Sequence, residues 1–286
     1  MGDELRRLGL ARAARARHRR RRPDVRGSPT SEDLPVTRVA VVTGGSRGIG
    51  EAIARALAGD GWHVVLLARD EERLRTLAAE LGGEYEVCDV SERAEVERVA
   101  ASVLQRHPQL RLLVNNAGIP GRAGFTKIDP ERIEEVMRVN YLGAVWTLRA
   151  FLPGLEAAGR SDVVNIVSVA GTVAFAPAGP YSASKHALLA FSRSTAAELR
   201  ARGIHVHTVN PGFVETEGFP QSALRSSILR RLVVDPEHVA RHVVKAIESD
   251  KREMFVPRVY RIAAIAQTLA PGLVARLSGR SGYRQS

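Results

Sequence analysis

From Arg38 onward, short aliphatic runs alternate with longer stretches of helical period, and this alternation constrains the fold more than any other feature of the chain. The runs are Val39-Ala40-Val41-Val42, His63-Val64-Val65-Leu66-Leu67, Arg111-Leu112-Leu113-Val114, Val163-Val164-Asn165-Ile166-Val167 and His205-Val206-His207-Thr208-Val209, with a weaker one at Tyr85-Glu86-Val87-Cys88. Continuous apolar runs of this length are the mark of strands covered on both faces. Helical segments are expected between them near 50–59, 71–81, 92–106, 130–157, 181–202 and 236–249. Parallel neighbours need crossover connections, so strand–helix alternation predicts the α/β class: one domain, a doubly wound parallel sheet with helices on both faces.

Composition agrees with a single globular body and removes several alternatives. The chain has 286 residues, 44% hydrophobic and 26% charged, with one cysteine and no internal repeat. Cys88 alone builds neither a disulfide framework nor a cysteine zinc site, and it reads as a small buried hydrophobe. No apolar run reaches the roughly 18 residues of a membrane span, and no signal sequence is recognisable, which leads us to expect a cytoplasmic protein. The net charge of +11 is concentrated at the two ends. Residues 1–35 carry ten Arg against five acids and residues 251–286 carry seven Lys/Arg against Glu253; of the 42 basic and 31 acidic residues, 25 of each remain for 36–250. The body is therefore neutral, and without interleaved aromatics the basic ends do not make a nucleic-acid surface. Residues 1–35 lack any hydrophobic period and read as a disordered basic arm, with Asp3 and Glu4 against a transit peptide. Residues 36–257 form the expected dinucleotide-binding and catalytic domain, and 258–286 an amphipathic helical extension of it.

The first strand runs into Thr43-Gly44-Gly45-Ser46-Arg47-Gly48-Ile49-Gly50 and then directly into a helix. Glycines at a strand-to-helix turn let a pyrophosphate approach the backbone, and the helix N-terminus offers unpaired N–H groups to it. This is a Rossmann-like arrangement with a spacing of its own, Thr-Gly-x-x-x-Gly-x-Gly. Tyr181 and Lys185 stand four residues apart at the start of a helix, so they share one face. A phenol is a poor proton carrier at neutral pH, and a neighbouring ammonium favours its phenolate. Ser168 is expected at the end of the fifth strand, on the sheet edge where α/β folds place ligands.

These motifs, with Asn115-Asn116-Ala117-Gly118, Asn140, Tyr181-Ser182-Ala183-Ser184-Lys185 and Asn210-Pro211-Gly212 in that order, resemble the short-chain dehydrogenase/reductase family over roughly Val36 to Arg258. The resemblance implies hydride transfer between nicotinamide and a carbonyl or secondary alcohol. It implies Tyr181 as general acid/base, Lys185 as its pKa-lowering neighbour and nicotinamide-ribose ligand, Ser168 as polariser of the substrate oxygen, and Asn140 as anchor of a relay water. For the cofactor it implies Gly44, Ser46, Arg47, Gly48, Ile49 and Gly50 at the phosphates, Asp89 and Val90 at the adenine, and Asn116, Ala117 and Gly118 along the floor. Thr216 would meet the nicotinamide amide, Pro211, Gly212 and Val214 would also contact the cofactor, and the loop from Phe213 to Val234 would take the substrate. Homodimers or homotetramers are also expected from the resemblance.

Cofactor choice turns on the end of the second strand. Ala68 stands where the family's acid would bind the ribose 2′-hydroxyl of NAD, followed by Arg69, and with Arg47 two guanidinium groups can hold a 2′-phosphate. NADP is therefore the expected cofactor. Asp70 would favour NAD if shifted to the ribose, and we read it as the N-cap of the next helix. The rival function is a non-catalytic NADP-binding scaffold or regulator, which would not need Ser168, Tyr181 and Lys185 together. His205 with His207, and His238 with His242, share faces without completing a metal set, so no metal is expected. Beyond Arg258, Ile262, Ile265, Ala266, Leu269, Leu273 and Leu277 recur at helical spacing, broken at Pro271-Gly272 and flanked by Arg258, Arg261, Arg276 and Arg280. This stripe is expected to cover the substrate mouth or a partner subunit in preference to lying on an anionic membrane.

Overall fold

The computed structural model describes residues 38–121, 126–174, 178–218 and 232–280. The basic arm, positions 219–231 of the substrate loop and the side chains of Leu277 and Arg280 lie outside the described residues. Seven strands make one parallel sheet: β1 (Val39–Thr43), β2 (His63–Ala68), β3 (Glu84–Val87), β4 (Leu112–Asn115), β5 (Ser161–Ile166), β6 (Ile204–Pro211) and β7 (Glu253–Val256), in the order β3-β2-β1-β4-β5-β6-β7. The helices are α1 (Gly48–Gly59), α2 (Glu71–Leu81), α3 (Arg93–Arg106), α4 (Pro130–Met137), α5 (Gly143–Ala157), α6 (Gly179–Glu198), α7 (Pro236–Glu248), α8 (Tyr260–Leu269) and α9 (Pro271–Arg280).

Successive side chains of a strand point to opposite faces, and β1 shows the consequence. Ala40 and Val42 join one core with Ile53 and Leu57 of α1, Leu74 of α2 and Val243 of α7, while Val39 and Val41 join a second with Val99 of α3 and Phe151 of α5. A sheet buried on both sides needs apolar residues at every position, which is why its strands read as continuous runs. Winding reverses between β1 and β4, so a crevice opens at the carboxyl ends of these strands.

Three local features differ from the sequence expectation. The fourth expected helix, 130–157, is three pieces: α4, a π turn over Arg138–Leu142, and α5. A π turn adds one residue to the ladder, which apolar periodicity does not register. Strand β7 went unpredicted because Glu253-Met254-Phe255-Val256 is a four-residue edge strand with only Val256 fully buried. Ser168 lies two residues past β5, where it caps a single 3-10 turn over Val169–Gly171. Two further expectations hold: Asp70 caps α2 by accepting from the Arg73 N–H at 3.2 Å, and Pro271 separates α8 from α9. Among the described residues no helix is long and apolar enough to cross a membrane.

Candidate active site

The glycine turn is fastened to the neighbouring strand by two polar side chains. Buried Thr43 ends β1; its Oγ1 donates to the Val114 carbonyl at 3.2 Å and accepts from the Asn116 and Ala117 N–H groups at 3.0 and 3.1 Å. Asn116 replies with Nδ2, which donates to the carbonyls of Thr43 and Gly44. Gly48 adopts a left-handed φ of +59°, and a Cβ at Gly50 would stand 2.1 Å from the Gly44 carbonyl oxygen, so neither position tolerates a side chain without rearrangement. The N-cap residue of α1, Arg47, makes no side-chain capping bond, and the first residues of the helix, Gly48 and Ile49, line the crevice, where a helix N-terminus suits an anion.

The crevice is a cleft of about 490 Å³ that takes in both the glycine turn and the Tyr181 region. Gly44, Ser46, Arg47, Gly48 and Ile49 line one end; Arg69, Asp89 and Val90 line the wall expected to face the adenine; Asn116, Ala117 and Gly118 lie along the floor. Ser168, Tyr181, Lys185, Pro211, Gly212, Val214 and Thr216 close the other end. Two residues expected at the site are not on its walls: Gly50 packs against Gly44 behind the turn, and Asn140 is buried behind the floor. Ile119, Pro120, Val139, Ile166 and Val167 also line the cleft, and no chemical signal in the sequence marked these apolar residues.

Lys185 is 3% exposed, and its Nζ donates to the Ile166 carbonyl at 2.9 Å. Burial pushes the ammonium down to about 8. The same Nζ stands 5.8 Å from the centre of the Tyr181 ring, one helical turn away. Ser168 Oγ accepts from the Ala170 N–H at 3.1 Å, an arrangement that leaves the hydroxyl proton available for a ligand. Asn140 grips the Ile119 backbone from both sides: Oδ1 accepts from its N–H at 2.7 Å and Nδ2 donates to its carbonyl at 3.0 Å. Its second amide proton goes to Ser184 Oγ, which donates to the Tyr181 carbonyl. Ser184, named in the sequence motif but given no role there, thus joins the π turn to the helix that carries Tyr181 and Lys185.

The basic rim is shared with acids. Arg69 lies 3.4 Å from Asp89, and Glu217 bridges Arg73, at 2.7 Å, and Arg47, at 3.7 Å. Burial would raise the Asp89 carboxyl, but hydrogen bonds from Ser91 and the charge of Arg69 hold it below the usual carboxylate range. Asp70 is engaged at the start of α2, both with the Arg73 N–H and with its guanidinium. The contact of Arg73 with Glu217, 144 residues apart, could not have been read from spacing. Cys88 sits at the wall of the cleft, and burial pushes its thiol up to about 12. His207 is held by Asp162 and the Lys251 carbonyl, and His205 by Asp250, so this pair packs β6 against its neighbours.

Comparison with known proteins agrees with the geometry. The family model described as short chain dehydrogenase matches residues 38–225. Dehydrogenase/reductase SDR family member 7B of Danio rerio is 30% identical over 286 aligned positions, covering 93% of this chain and 89% of the relative. Among solved structures, an alcohol dehydrogenase from the archaeon Thermococcus sibiricus, complexed with 5-hydroxy-NADP, superposes with a TM-score of 0.70 at 32% identity, covering 78% of this chain and 97% of that one. A short chain dehydrogenase/reductase from Burkholderia phymatum in complex with NAD gives 0.73 at 26% identity, covering 83% and 95%. This chain belongs to the short chain dehydrogenase family and is an oxidoreductase acting on CH–OH/C=O groups.

Proposed function

We propose that the protein is an NADP(H)-dependent carbonyl reductase or alcohol dehydrogenase in which Tyr181 carries the proton. The observation that carries this reading is the buried Lys185 ammonium beside the Tyr181 ring, in the same cleft as the N-terminus of α1. A dinucleotide fits the residues present: a Cβ at Gly44, Gly48 or Gly50 would meet Ala117, Thr216 or the Gly44 carbonyl oxygen, so glycine keeps the turn tight and leaves bare backbone at Gly44 and Gly48 on the cleft wall. When bound, NADP(H) supplies the hydride chemistry, which no side chain possesses. Arg47 and Arg69 hold the 2′-phosphate, and Asp70 stays with α2. The archaeal relative's 5-hydroxy-NADP supports this choice, and the NAD of the Burkholderia structure marks the alternative.

During reduction, Ser168 donates a hydrogen bond to the substrate carbonyl oxygen and Tyr181 delivers its phenolic proton to the same atom; oxidation reverses both. Lys185 favours the phenolate electrostatically, and low dielectric strengthens that effect. Asn140 fixes the Ile119 backbone and, through Ser184, α6, and the second lone pair of Oδ1 anchors a water beside Lys185 Nζ. A Cβ on Gly118 would contact both atoms, at 3.4 and 3.6 Å. The substrate is a small-molecule carbonyl or secondary alcohol. Further assembly uses α8 and α9, whose outward residues Ile262, Ile265, Leu269 and Leu273 are exposed and which we assign to contact with a second copy.

The test is Tyr181→Phe, which keeps the ring and removes only the ionisable hydroxyl. Turnover followed by nicotinamide absorbance should fall by at least about 100-fold, the usual scale for general acid–base catalysis, while NADPH binding measured by calorimetry persists. Retention of a substantial fraction of kcat would remove Tyr181 from the proton-transfer role.

A further inference from the structure

At the end of the sheet opposite the cleft, His63 opens β2, Glu84 opens β3 and His107 follows the last turn of α3. Their polar ends converge. His63 Nε2 and His107 Nε2 lie 2.9 and 2.8 Å from the same carboxylate oxygen, Glu84 Oε1. One potential ligand atom from each residue falls within 4.8 Å of the others, and the imidazole centroids are 5.1 Å apart. The second oxygen, Oε2, accepts from Arg106 Nε at 2.9 Å, and Arg106 Nη2 reaches Glu86 at 2.8 Å.

We propose that His63, Glu84 and His107 bind a divalent transition-metal ion of the zinc class, at a site separate from the catalytic cleft. Two imidazole nitrogens and one carboxylate oxygen are borderline donors that suit Zn²⁺ or Co²⁺ better than the all-oxygen preference of Mg²⁺ or Ca²⁺. Ligand atoms at about 2.0–2.2 Å from a tetrahedral ion stand about 3.3–3.5 Å from each other. The two present contacts, 2.8 and 2.9 Å, need open only slightly to reach that spacing. All three side chains are partly exposed, so water can complete the coordination.

Electrostatics favours a cation here. Glu84 and Glu86 carry two negative charges against the single positive charge of Arg106, which leaves one net negative charge among these three side chains. By holding Oε2, Arg106 fixes the carboxylate with Oε1 facing the rings, the part an outer-shell partner plays around metals. The proton count closes without a net release from neutral rings. Each imidazole moves its proton from Nε2 to Nδ1 and turns the freed lone pair to the ion; protonated rings must lose a proton first, so acid weakens binding. Because the ligands come from β2, β3 and the end of α3, the ion would fasten these three elements together and act on stability, not on hydride transfer. His238 and His242 on α7 also approach, with centroids 4.6 Å apart, but His242 Nδ1 is occupied by the His238 carbonyl and no carboxylate joins them within the described residues.

The experiment uses untagged full-length protein stripped of metal with a chelator, then titrated with Co²⁺ by visible absorption and with Zn²⁺ by calorimetry. One equivalent of Co²⁺ should produce d–d bands that Zn²⁺ abolishes, and saturating Zn²⁺ should raise Tm. His107→Ala and Glu84→Gln, each checked for native circular dichroism, should weaken binding by at least about tenfold, the loss that even an outer-shell change produces. His242→Ala should leave it unchanged. Absence of the bands at stoichiometric Co²⁺ would overturn the proposal, as would a signal that survives His107→Ala and Glu84→Gln.

Discussion

Lys185 shows how one residue can be legible in chemistry and illegible in energetics. Its four-residue step from Tyr181 was readable, because helical spacing puts both on one face. Its complete burial and its bond to the Ile166 carbonyl were not, since they depend on where β5 ends relative to α6. Burial lowers the ammonium from 10.5 to about 8, so the charged lysine weakens the apo fold. Between these values the unfolded chain binds more protons than the folded one, so stability rises with pH; below the folded value the whole cost is present, and above the unfolded value it is gone. A shift of this size corresponds to roughly 3 kcal/mol. Urea denaturation of apo wild type and Lys185→Met at pH 8 and pH 10.5 should therefore show the difference in stability moving by about that amount in favour of wild type. A difference that stays constant would mean that Nζ is solvated. Arg69 is the other residue-scale case: the missing acid at Ala68 was legible, but the contact of Arg69 with Asp89 was not. Arg69→Asp should lower kcat/KM for NADPH by about 10- to 100-fold, the scale of one charge-assisted hydrogen bond, and raise the preference for NADH. Wild-type preference for NADH would instead return Asp70 to the ribose.

At the scale of elements, legibility followed burial. Strands β1, β2, β4, β5 and β6 lie inside the sheet with their apolar residues covered on both faces, so each imposed a continuous run on the sequence. Edge strands β3 and β7 carry less of this signature: Glu84, Tyr85 and Glu86 are partly exposed, and β7 has one buried residue in four. The π turn escaped for a different reason. Val139 and Asn140 stay buried through it, and the α5 residues beyond it remain in phase with a core, so the pattern of α4 and α5 passes as one helix. What the turn achieves is positional. It directs Asn140 toward Ile119 and Ser184, and sets Gly143 against Val90, where a Cβ would stand 2.9 Å from Val90 Cγ2. Such an element carries no periodic signal of its own, which is why the expectation placed Asn140 inside one continuous helix.

For the whole molecule, the carboxyl-terminal helices pack beside Ser168 on one face and leave large apolar residues exposed on the other. Tyr260 of α8 packs with Val169 and Val173, just past Ser168, and with Phe213 at the root of the substrate loop, while Ala263 and Val274 add to the same cluster. This inner face supports the expected position beside the substrate mouth. The outer face is apolar as well, with Ile262 67% and Leu269 79% exposed, and a contiguous patch of this kind calls for a covering surface. From Arg258 to the end the chain carries five Arg and no acid, so a second copy and an anionic membrane make different demands on the same patch. A two-fold contact would bury Leu269 against its counterpart and leave the arginines hydrated at the rim. Leu269→Asp is the discriminating change, because so exposed a side chain has little intramolecular packing to lose and Tm should move by no more than about 0.5 kcal/mol would cause. In sedimentation experiments the variant should shift toward monomer, whereas truncation after Pro257, which also removes Tyr260 from the Ser168 wall, should in addition raise KM for the carbonyl substrate. If Leu269→Asp keeps the wild-type mass but loses salt-sensitive flotation with anionic vesicles, the patch faces a lipid surface and the second copy must contact the protein elsewhere.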